Sequence, residues 1–310
     1  MNSFVRRAIS VTFALWLITT ISFLLIYCLP GDPARIILGP LASAESIAEF
    51  RAKAGLDQAL TVQYSRYIQD LLFLDFGQSS ALRRPVIELL QERGQATLLL
   101  AFGATIFVFV YSFILPLLLE FLRCNNSIRF FDHSVSVLAL APPYVLAITG
   151  LLIGAGWLNW TNVVFDNGQV TAWILPSIAL GAYPTALVYR LFSGRLADEL
   201  KSSYSLNARA LGLSQFRIVF VEILPNALPA ALAALANSLA YFVTGAFFVE
   251  VVFGIPGWGG LTQEALRNKD VAMLSGLCVA FAVIVLLLSV TLDAIQKKLD
   301  PRLKRAHANN

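Results

Sequence analysis

Polar side chains are scarce in the long apolar runs of this chain, and three of them share one helical face. Asn237, Tyr241 and Thr244 stand at positions i, i+4 and i+7, so a helix places them in one stripe. Such a stripe either lines a hydrated path or joins neighbouring helices through hydrogen bonds. Gly245, next to it, permits close contact between helices.

A carboxylate stands near the end of the same apolar run. Glu250 either faces water at a membrane boundary or forms part of a functional contact there. The turn-rich sequence "PGWGG" follows, and its Trp258 is expected at the membrane interface. Asp270 precedes the last apolar run and is interpreted as a helix cap.

The sequence gives little sign of metal, disulfide or nucleotide chemistry. The three cysteines, Cys28, Cys124 and Cys278, are far apart, and His133 and His307 are the only histidines. No GxxxxGK[ST] motif occurs, and the basic residues are spread along the chain rather than clustered. We therefore predict no metal site, no cofactor bound by this chain and no nucleic-acid partner.

Composition indicates an all-α integral membrane protein. Hydrophobic residues make up 57% of the 310 residues and charged residues only 14%, whereas soluble domains carry about a quarter charged residues. A membrane-spanning helix needs roughly 20 mostly apolar residues. Six predicted transmembrane helices meet this requirement, at about 9–29, 96–119, 133–156, 171–192, 226–252 and 271–295.

Charge predicts the orientation of these spans. With the N-terminus in the cytoplasm, 14 of the 23 basic residues fall in cytoplasmic segments, and the short outer loop 157–170 has none. Seven of the other nine lie in the long outer loop 30–95, which is long enough to escape much of the rule. Both termini are therefore predicted to be cytoplasmic.

The outer loop 30–95 is predicted to contain short helices. "SIAE", Ser46 to Glu49, is a possible capping box, Thr61 is a possible cap of a second helix, and "LDFG", Leu74 to Gly77, indicates a turn. The loop is either a small cap on the outer ends of the spans or a docking surface for an external partner.

Prolines are expected to kink or break two spans. Pro142 and Pro143 lie in the third predicted span, and Pro176, Pro184 and the helix-weakening Gly181 lie in the fourth. The resulting bends are either static, fixed by packing, or shape a cavity.

Between the fourth and fifth spans the chain carries a basic, helix-breaking segment, 204–225. Tyr204 to Leu211 is predicted to form a short helix, Gly212 to end it at positive φ, and Ser214 to cap a second short helix. Pro225 and Pro229 suit the opening of the next span. The second helix has one apolar face, made of Phe216, Val219, Phe220 and Ile223. From the residues alone, this segment could be an interfacial hairpin that only separates two spans.

Nine short motifs in order give the chain a resemblance to a known family. Ala208, Gly212 and the pair Leu224-Pro225 match its signature, from which Leu206 and Asn207 depart. "LPGDPA", "GLD", "QY", "LDFGQS", "RPV", "LPSIALG", "VEVVFGIPGWGGL" and "LDPR" stand around it in the expected order. The chain resembles membrane permease subunits of binding-protein-dependent ATP-binding-cassette (ABC) importers of the dipeptide, oligopeptide and nickel type.

The resemblance implies a type I importer fold with a cytoplasmic coupling helix that contacts an ATPase subunit. The residues implied in coupling are Ala208, Arg209, Ala210, Gly212, Leu213, Ser214, Phe216, Leu224 and Pro225. The polar stripe of Asn237, Tyr241 and Thr244 is itself the candidate translocation path. The family's E-x-x-F and Pro-Gly pattern implies an outer gate that includes Glu250, Pro256 and Gly257.

The implied partners are a homologous second permease subunit, two ATPase subunits that bind ATP and Mg²⁺, and a periplasmic or lipid-anchored solute-binding protein. The expected location is the bacterial inner membrane. The predicted organisation is an N-terminal tail and first span (1–29), a periplasmic loop (30–95) and a five-helix core (96–310).

We therefore expect a permease subunit, not an enzyme, for peptides or a related small solute. Nickel or a metallophore is the alternative cargo. An ion-coupled secondary transporter is an alternative of another class, but it needs intramembrane acids, and Glu250 and Asp293 lie near span ends.

Overall fold

The described residues fold almost entirely into helices. The computed structural model describes residues 12–14, 16–24, 33–38, 42–122, 130–135, 137, 141–158, 165–166 and 168–299. Within these residues the only β pairing is an isolated bridge between Gln78 and Pro85. The predicted all-α class is confirmed.

The main helices of the described residues are numbered α1 to α11 in chain order. They are α1 (12–14 and 16–24), α2 (Pro33–Leu38), α3 (Ala44–Ala54), α4 (Leu60–Leu72), α5 (Val86–Phe121), α6 (Pro143–Trp157), α7 (Thr171–Leu200), α8 (Ser203–Ala210), α9 (Gln215–Phe253), α10 (Trp258–Asn268) and α11 (Val271–Leu299). Residues 130–135 are also helical.

Four of the six predicted spans correspond to helices long and apolar enough to cross a membrane. These helices are α5, α7, α9 and the part Val271–Thr291 of α11. The other two predicted spans match the shorter apolar helices α1 and α6. Both of those predictions, 9–29 and 133–156, include positions outside the described residues.

Two spans begin earlier than predicted, because helix continues beyond the apolar run. Helix α5 starts at Val86 rather than near residue 96, and α9 starts at Gln215 rather than near residue 226. At 36 and 39 residues, these helices are about 54 and 58 Å long, well beyond the roughly 30 Å of a bilayer core. Each span therefore carries an extension that reaches out of the hydrocarbon.

Three spans contain a π-helical turn that sequence periodicity did not indicate. These wide turns lie at Val110–Ile114 in α5, Leu152–Trp157 in α6 and Ile218–Ile223 in α9. In α9 the Leu224 N–H donates to the Val219 carbonyl, five residues back, directly before Pro225. Pro225 has no N–H and its ring would crowd a normal turn, so widening the turn keeps the helix continuous. Helix α5 uses the same arrangement before Pro116.

The proline predictions had two outcomes. Helix α6 begins at Pro143, with Pro142 as its extended N-cap, so the predicted break is confirmed there. The fourth span is not broken, because α7 runs from Thr171 to Leu200 through Pro176 and Pro184, and a kink there stays a prediction. Both prolines are buried, and packed neighbours commonly stabilise proline within membrane helices.

The chain forms two compact units. The first comprises the described parts of Met1–Thr97 and Pro256–Leu286, and the second those of Leu98–Ile255 and Leu287–Asn310. The core of the first unit joins the start of α5 to α10 and α11. Its buried members are Val86, Leu89, Leu90, Trp258, Leu261, Ala265, Met273 and Leu277.

Trp258 belongs to that core, not to a membrane interface. Its backbone N–H donates to Thr97 Oγ1 at 2.9 Å, and its indole N–H donates to the Leu90 carbonyl at 2.8 Å. The interfacial prediction was wrong because the indole N–H finds a partner inside the protein and has no need of water.

Local capping in the outer loop differs from the prediction by a few residues. Ser43, not Ser46, caps α3, accepting a hydrogen bond from the Ser46 N–H at 3.2 Å. Thr61 lies inside α4, whose N-cap Ala59 makes no side-chain cap. The predicted turn at Leu74 to Gly77 is confirmed, and both residues have positive φ.

The second unit is built around α7 and α9. A Cβ added to Gly245 of α9 would stand 3.0 Å from Leu180 of α7, so this small residue permits close approach. The π turn of α5 joins them through Ser112, whose hydroxyl donates to the Thr185 carbonyl at 3.2 Å. Tyr189 donates to Asp132 at 2.8 Å, tying α7 to the helical residues 130–135.

Candidate coupling segment and translocation path

The coupling segment begins with a helix capped by serine. Ser202 is extended, and its hydroxyl accepts from the Ser205 N–H at 3.4 Å. Helix α8 then runs from Ser203 to Ala210, within one residue of the predicted bounds. Ala208 and Ser205 are buried, whereas Arg209 and Ala210 are exposed, so only one side of α8 packs on the protein.

Gly212 ends α8 in the predicted left-handed conformation, with φ of 76°. The Leu213 N–H donates to the Ala208 carbonyl at 3.1 Å, and the Gly212 N–H donates to the Arg209 carbonyl at 3.0 Å. These two bonds make a Schellman motif, which satisfies carbonyls that the helix end would leave open. No atom within 4 Å would meet a Cβ at this glycine. Backbone conformation, not space, therefore requires glycine here.

Ser214 caps the next helix, as predicted. Its side chain accepts from the Arg217 N–H at 3.4 Å, and its backbone is extended. Between the two capped helices, Leu211 is 80% exposed, and Phe216 just beyond is 59% exposed. The turn thus presents apolar side chains outward from a backbone constrained on both sides.

The predicted face of the second helix is only partly buried. Val219 and Ile223 are fully buried, together with Ile218, whereas Phe216 lies outside and stacks on Phe220 with ring centroids 4.7 Å apart. The π turn changes the angular step between residues, so a face drawn at the α-helical period does not persist through it. The segment is also not a separate short helix, because α9 continues from Gln215 into the span.

A polar cluster that sequence reasoning missed ties α8 to both neighbouring spans. The Tyr204 hydroxyl donates to Glu199 Oε2 near the end of α7 at 2.5 Å, and it accepts a long hydrogen bond from the Asn226 amide at 3.4 Å. The amide also donates to the Glu222 carbonyl at 3.0 Å. Desolvation and the Glu199 hydrogen bond raise the pKa of Tyr204, so its hydroxyl remains a donor at neutral pH. Polar residues at the ends of both apolar runs, on either side of the segment 204–225, were the only sequence signal.

The predicted polar stripe lies on the surface of the second unit. Asn237 and Thr244 are exposed, and Tyr241 is half-buried beside Tyr183, with ring centroids 5.4 Å apart. The Thr244 hydroxyl donates to the Tyr241 carbonyl at 3.1 Å, one turn earlier in the same helix. The stripe thus offers an amide, a phenol and a hydroxyl on an open helical face.

Glu250 is fully buried, so the water-facing interpretation of its side chain was wrong. Its carbonyl accepts from the Ile255 N–H at 2.9 Å, and Gly254 ends α9 at φ of 67°. Pro256 and Gly257 belong to the first unit, where Gly257 is the extended N-cap of α10.

Asp270 caps α11 as predicted and makes further contacts that the sequence did not indicate. Oδ1 accepts from the Met273 N–H at 3.1 Å, and Oδ2 accepts from the Ser79 hydroxyl and from the Ala81 N–H at 3.2 Å. The carboxylate therefore also holds the turn before α5 against the start of α11.

Two comparisons of sequence decide the family. The family model described as "Binding-protein-dependent transport system inner membrane component" matches residues 114–305. The model of the N-terminal part, "Binding-prot-dependent transport system membrane comp, N-term", matches residues 1–101. The chain belongs to this family. The permease is similar to the glutathione transport system permease protein GsiC of Salmonella paratyphi A, with 30% identity over 98% of the chain and 99% of that protein. It is also 28% identical to a probable peptide ABC transporter permease protein of Sinorhizobium fredii, over 96% of the chain and 98% of that protein.

Solved structures share the fold. A structure of the MetNI methionine ABC transporter in inward-facing conformations aligns with a TM-score of 0.56 at 19% identity, covering 69% of the permease and 97% of that chain. An amino acid ABC transporter crystallised with histidines aligns with a TM-score of 0.52 at 17% identity, covering 68% and 94%. These likenesses concern the fold alone.

The permease is thus a multi-pass inner-membrane subunit of an ABC importer. Such subunits are not enzymes themselves, because ATP hydrolysis belongs to partner subunits of the importer. Among the residues that the structure describes, no group of three or more His, Cys, Asp or Glu side chains is placed to hold a metal ion.

Proposed function

We propose that the permease imports peptide-class solutes, meaning short chains of amide-linked amino acids with free amino and carboxylate groups. The observation that carries this proposal is its full-length similarity to permeases named for glutathione and for peptides. The stripe of Asn237, Tyr241 and Thr244 is chemically suited to such cargo. Neutral donors and acceptors can solvate a zwitterion without holding either charge tightly.

Transport by this route requires partners, which we propose to be a homologous second permease subunit, two ATPase subunits and an external solute-binding protein. Both termini lie in the cytoplasm in this proposal, which rests on the distribution of basic residues. The ATPase subunits bind ATP and Mg²⁺, and the chain itself binds no cofactor. Glu250, Pro256 and Gly257 remain our candidates for the outer gate.

The coupling segment 204–225 is proposed to seat in the ATPase subunit. Exposed Leu211 and Phe216 supply apolar contact, and exposed Arg209 supplies charge at the same turn. The Schellman motif at Gly212 and the Ser214 cap make this contact stiff, and the continuous helix α9 connects it to the polar stripe. A displacement of the turn would therefore move a span rather than dissipate in a loop.

Uptake by the assembled importer tests the proposal. The permease is co-reconstituted into liposomes with its second permease, ATPases and binding protein, and accumulation of labelled glutathione, a dipeptide or Ni²⁺ is measured with and without ATP. We expect ATP-dependent uptake of at least one of the two peptide-class cargoes and none of Ni²⁺. Uptake of Ni²⁺ alone would contradict the substrate class. Uptake by the permease alone, driven by an ion gradient, would contradict the whole assignment.

A further inference from the structure

Three consecutive apolar residues at the end of α4 are exposed to an unusual degree. Leu72, Phe73 and Leu74 are 78%, 85% and 63% exposed. They lie in the loop 30–95, outside every predicted span. Large apolar side chains scattered singly on a surface are ordinary, but a contiguous cluster indicates a contact with something apolar.

We call Leu72, Phe73 and Leu74 the tip. Its backbone adopts a conformation that is unfavourable for these residue types. The Asp75 N–H donates to the Asp70 carbonyl at 2.9 Å, and the Leu74 N–H donates to the Leu71 carbonyl at 3.0 Å. This is a Schellman end like that at Gly212, but the left-handed position is occupied by Leu74, with φ of 58°. Glycine normally takes that position because a Cβ is disfavoured there. A strained leucine that is also exposed contributes little packing to the described part of the fold.

Contacts on both sides of the tip place it beside membrane-spanning helices of the same unit. The Tyr67 hydroxyl is 2.6 Å from the Ser275 hydroxyl of α11. Beyond the tip, Phe76 lies beside Gly276 of α11. A Cβ added to that glycine would be 3.5 Å from the Phe76 side chain. The tip is thus bracketed by two contacts to one turn of α11.

That turn lies inside the apolar part of α11. The membrane-spanning stretch starts at Val271, so Ser275 is about 6 Å further along the helix axis. Helix α4 also contacts α1, where Thr20 Oγ1 is 2.7 Å from the Tyr64 hydroxyl. The same turns of α1 expose Leu17, Ile21 and Leu24, an apolar surface that belongs against lipid.

We propose that Leu72, Phe73 and Leu74 insert into the leaflet next to the N-terminal end of α11, which is the outer leaflet in the proposed topology. The occupant of this apolar surface is lipid because contacts on both sides of the tip join it to a turn about 6 Å inside the apolar part of α11, and because α4 also contacts the apolar helix α1. Exposed Asp70 and Asp75 flank the three side chains and keep the insertion shallow, since carboxylates remain at the headgroups. The tip anchors the outer loop to the bilayer independently of the spans.

Spin labelling of the assembled importer in liposomes tests this anchor. Cys28, Cys124 and Cys278 are first replaced by serine, and a nitroxide is then attached to Phe73→Cys or, as a second position, to Leu72→Cys. The matched control is Ser65→Cys, an exposed polar position on α4. Collision rates with oxygen, which concentrates in lipid, are compared with those of a water-soluble nickel chelate.

We expect oxygen collisions to exceed chelate collisions at both tip positions and the reverse at Ser65. Chelate access at the tip equal to that at Ser65 would overturn the proposal. Protection that appears only after the solute-binding protein is added would assign the tip to protein docking and would also overturn it. This readout requires membrane assembly but no transport, so it can fail or succeed independently of the proposed substrate and coupling mechanism.

Discussion

Substituting valine for Gly212 should uncouple ATP hydrolysis from uptake while leaving the permease in the membrane. The glycine has φ of 76° and open space around the position of a Cβ, so the cost is backbone strain alone. For a β-branched residue in the left-handed region that strain is about 1–3 kcal/mol. Two backbone hydrogen bonds close the turn, and a cost of this size is comparable to their combined net contribution of about 1–3 kcal/mol.

The assay separates coupling from general damage. Membrane abundance, co-purification with the ATPase subunits, substrate-stimulated ATP hydrolysis and uptake are measured on the reconstituted importer. Gly77→Val is the matched control because Gly77 also has φ of 76° and no atom within 4 Å of a Cβ, but lies in the outer loop. It carries the same strain and should leave ATPase attachment intact. Gly212→Asn should restore most function, since asparagine tolerates positive φ.

Two results would refute this reasoning. Wild-type uptake and stimulation in Gly212→Val would show that the turn is a spacer without a coupling role. Equal loss of ATPase attachment in Gly77→Val and Gly212→Val would show that strain anywhere in the fold is sufficient, so the position of the turn would carry no information.

Three further predictions concern topology, the path and stability. A cysteine probe at Gln58 should react with an impermeant reagent from outside and one at Ala308, beyond the described residues, should not; the opposite pattern would invert the topology. Asn237→Leu should reduce uptake without disturbing assembly, and Asn237→Ser should retain more uptake than Asn237→Leu. Failed assembly with normal uptake per assembled complex would show that the side chain is a helix contact. Asp270→Ala removes the acceptor of hydrogen bonds from two backbone N–H groups and one hydroxyl. The free energy of unfolding should therefore fall by about 3 kcal/mol, seen as a lower midpoint of thermal unfolding in detergent. An unchanged midpoint would contradict that role.

The sequence predicted best those features that local chemistry determines. Gly212 and Ser214 were expected to end and begin helices, and both do, because capping depends on a few adjacent residues. Spans were recognisable because hydrocarbon requires long apolar runs. Ser43, and not Ser46, is the cap; two serines three residues apart offer equivalent starts that the local sequence does not distinguish.

Features that depend on distant partners were not predictable. Glu250 and Trp258 stand at the ends of apolar runs. The sequence placed Trp258 at the membrane interface and left Glu250 open between a water-facing position and a functional contact. The burial of Trp258 depends on groups far away in sequence, the Thr97 hydroxyl and the Leu90 carbonyl. The Tyr204 cluster was missed for the same reason, since it joins the ends of two spans.

The π turn of α9 changes the angle between the turn at Gly212 and the polar stripe of Asn237, Tyr241 and Thr244. Compared with an uninterrupted α-helix, one extra residue in the turn rotates everything before it by about 100° relative to everything after it. Deleting one residue from Ile218–Ile223 would therefore leave the sequences of the coupling turn and the polar stripe intact while changing the direction in which one points relative to the other. The inserted residue therefore sets the angle between side chains at the two ends of the helix. This angle does not depend on which residue types stand at either end.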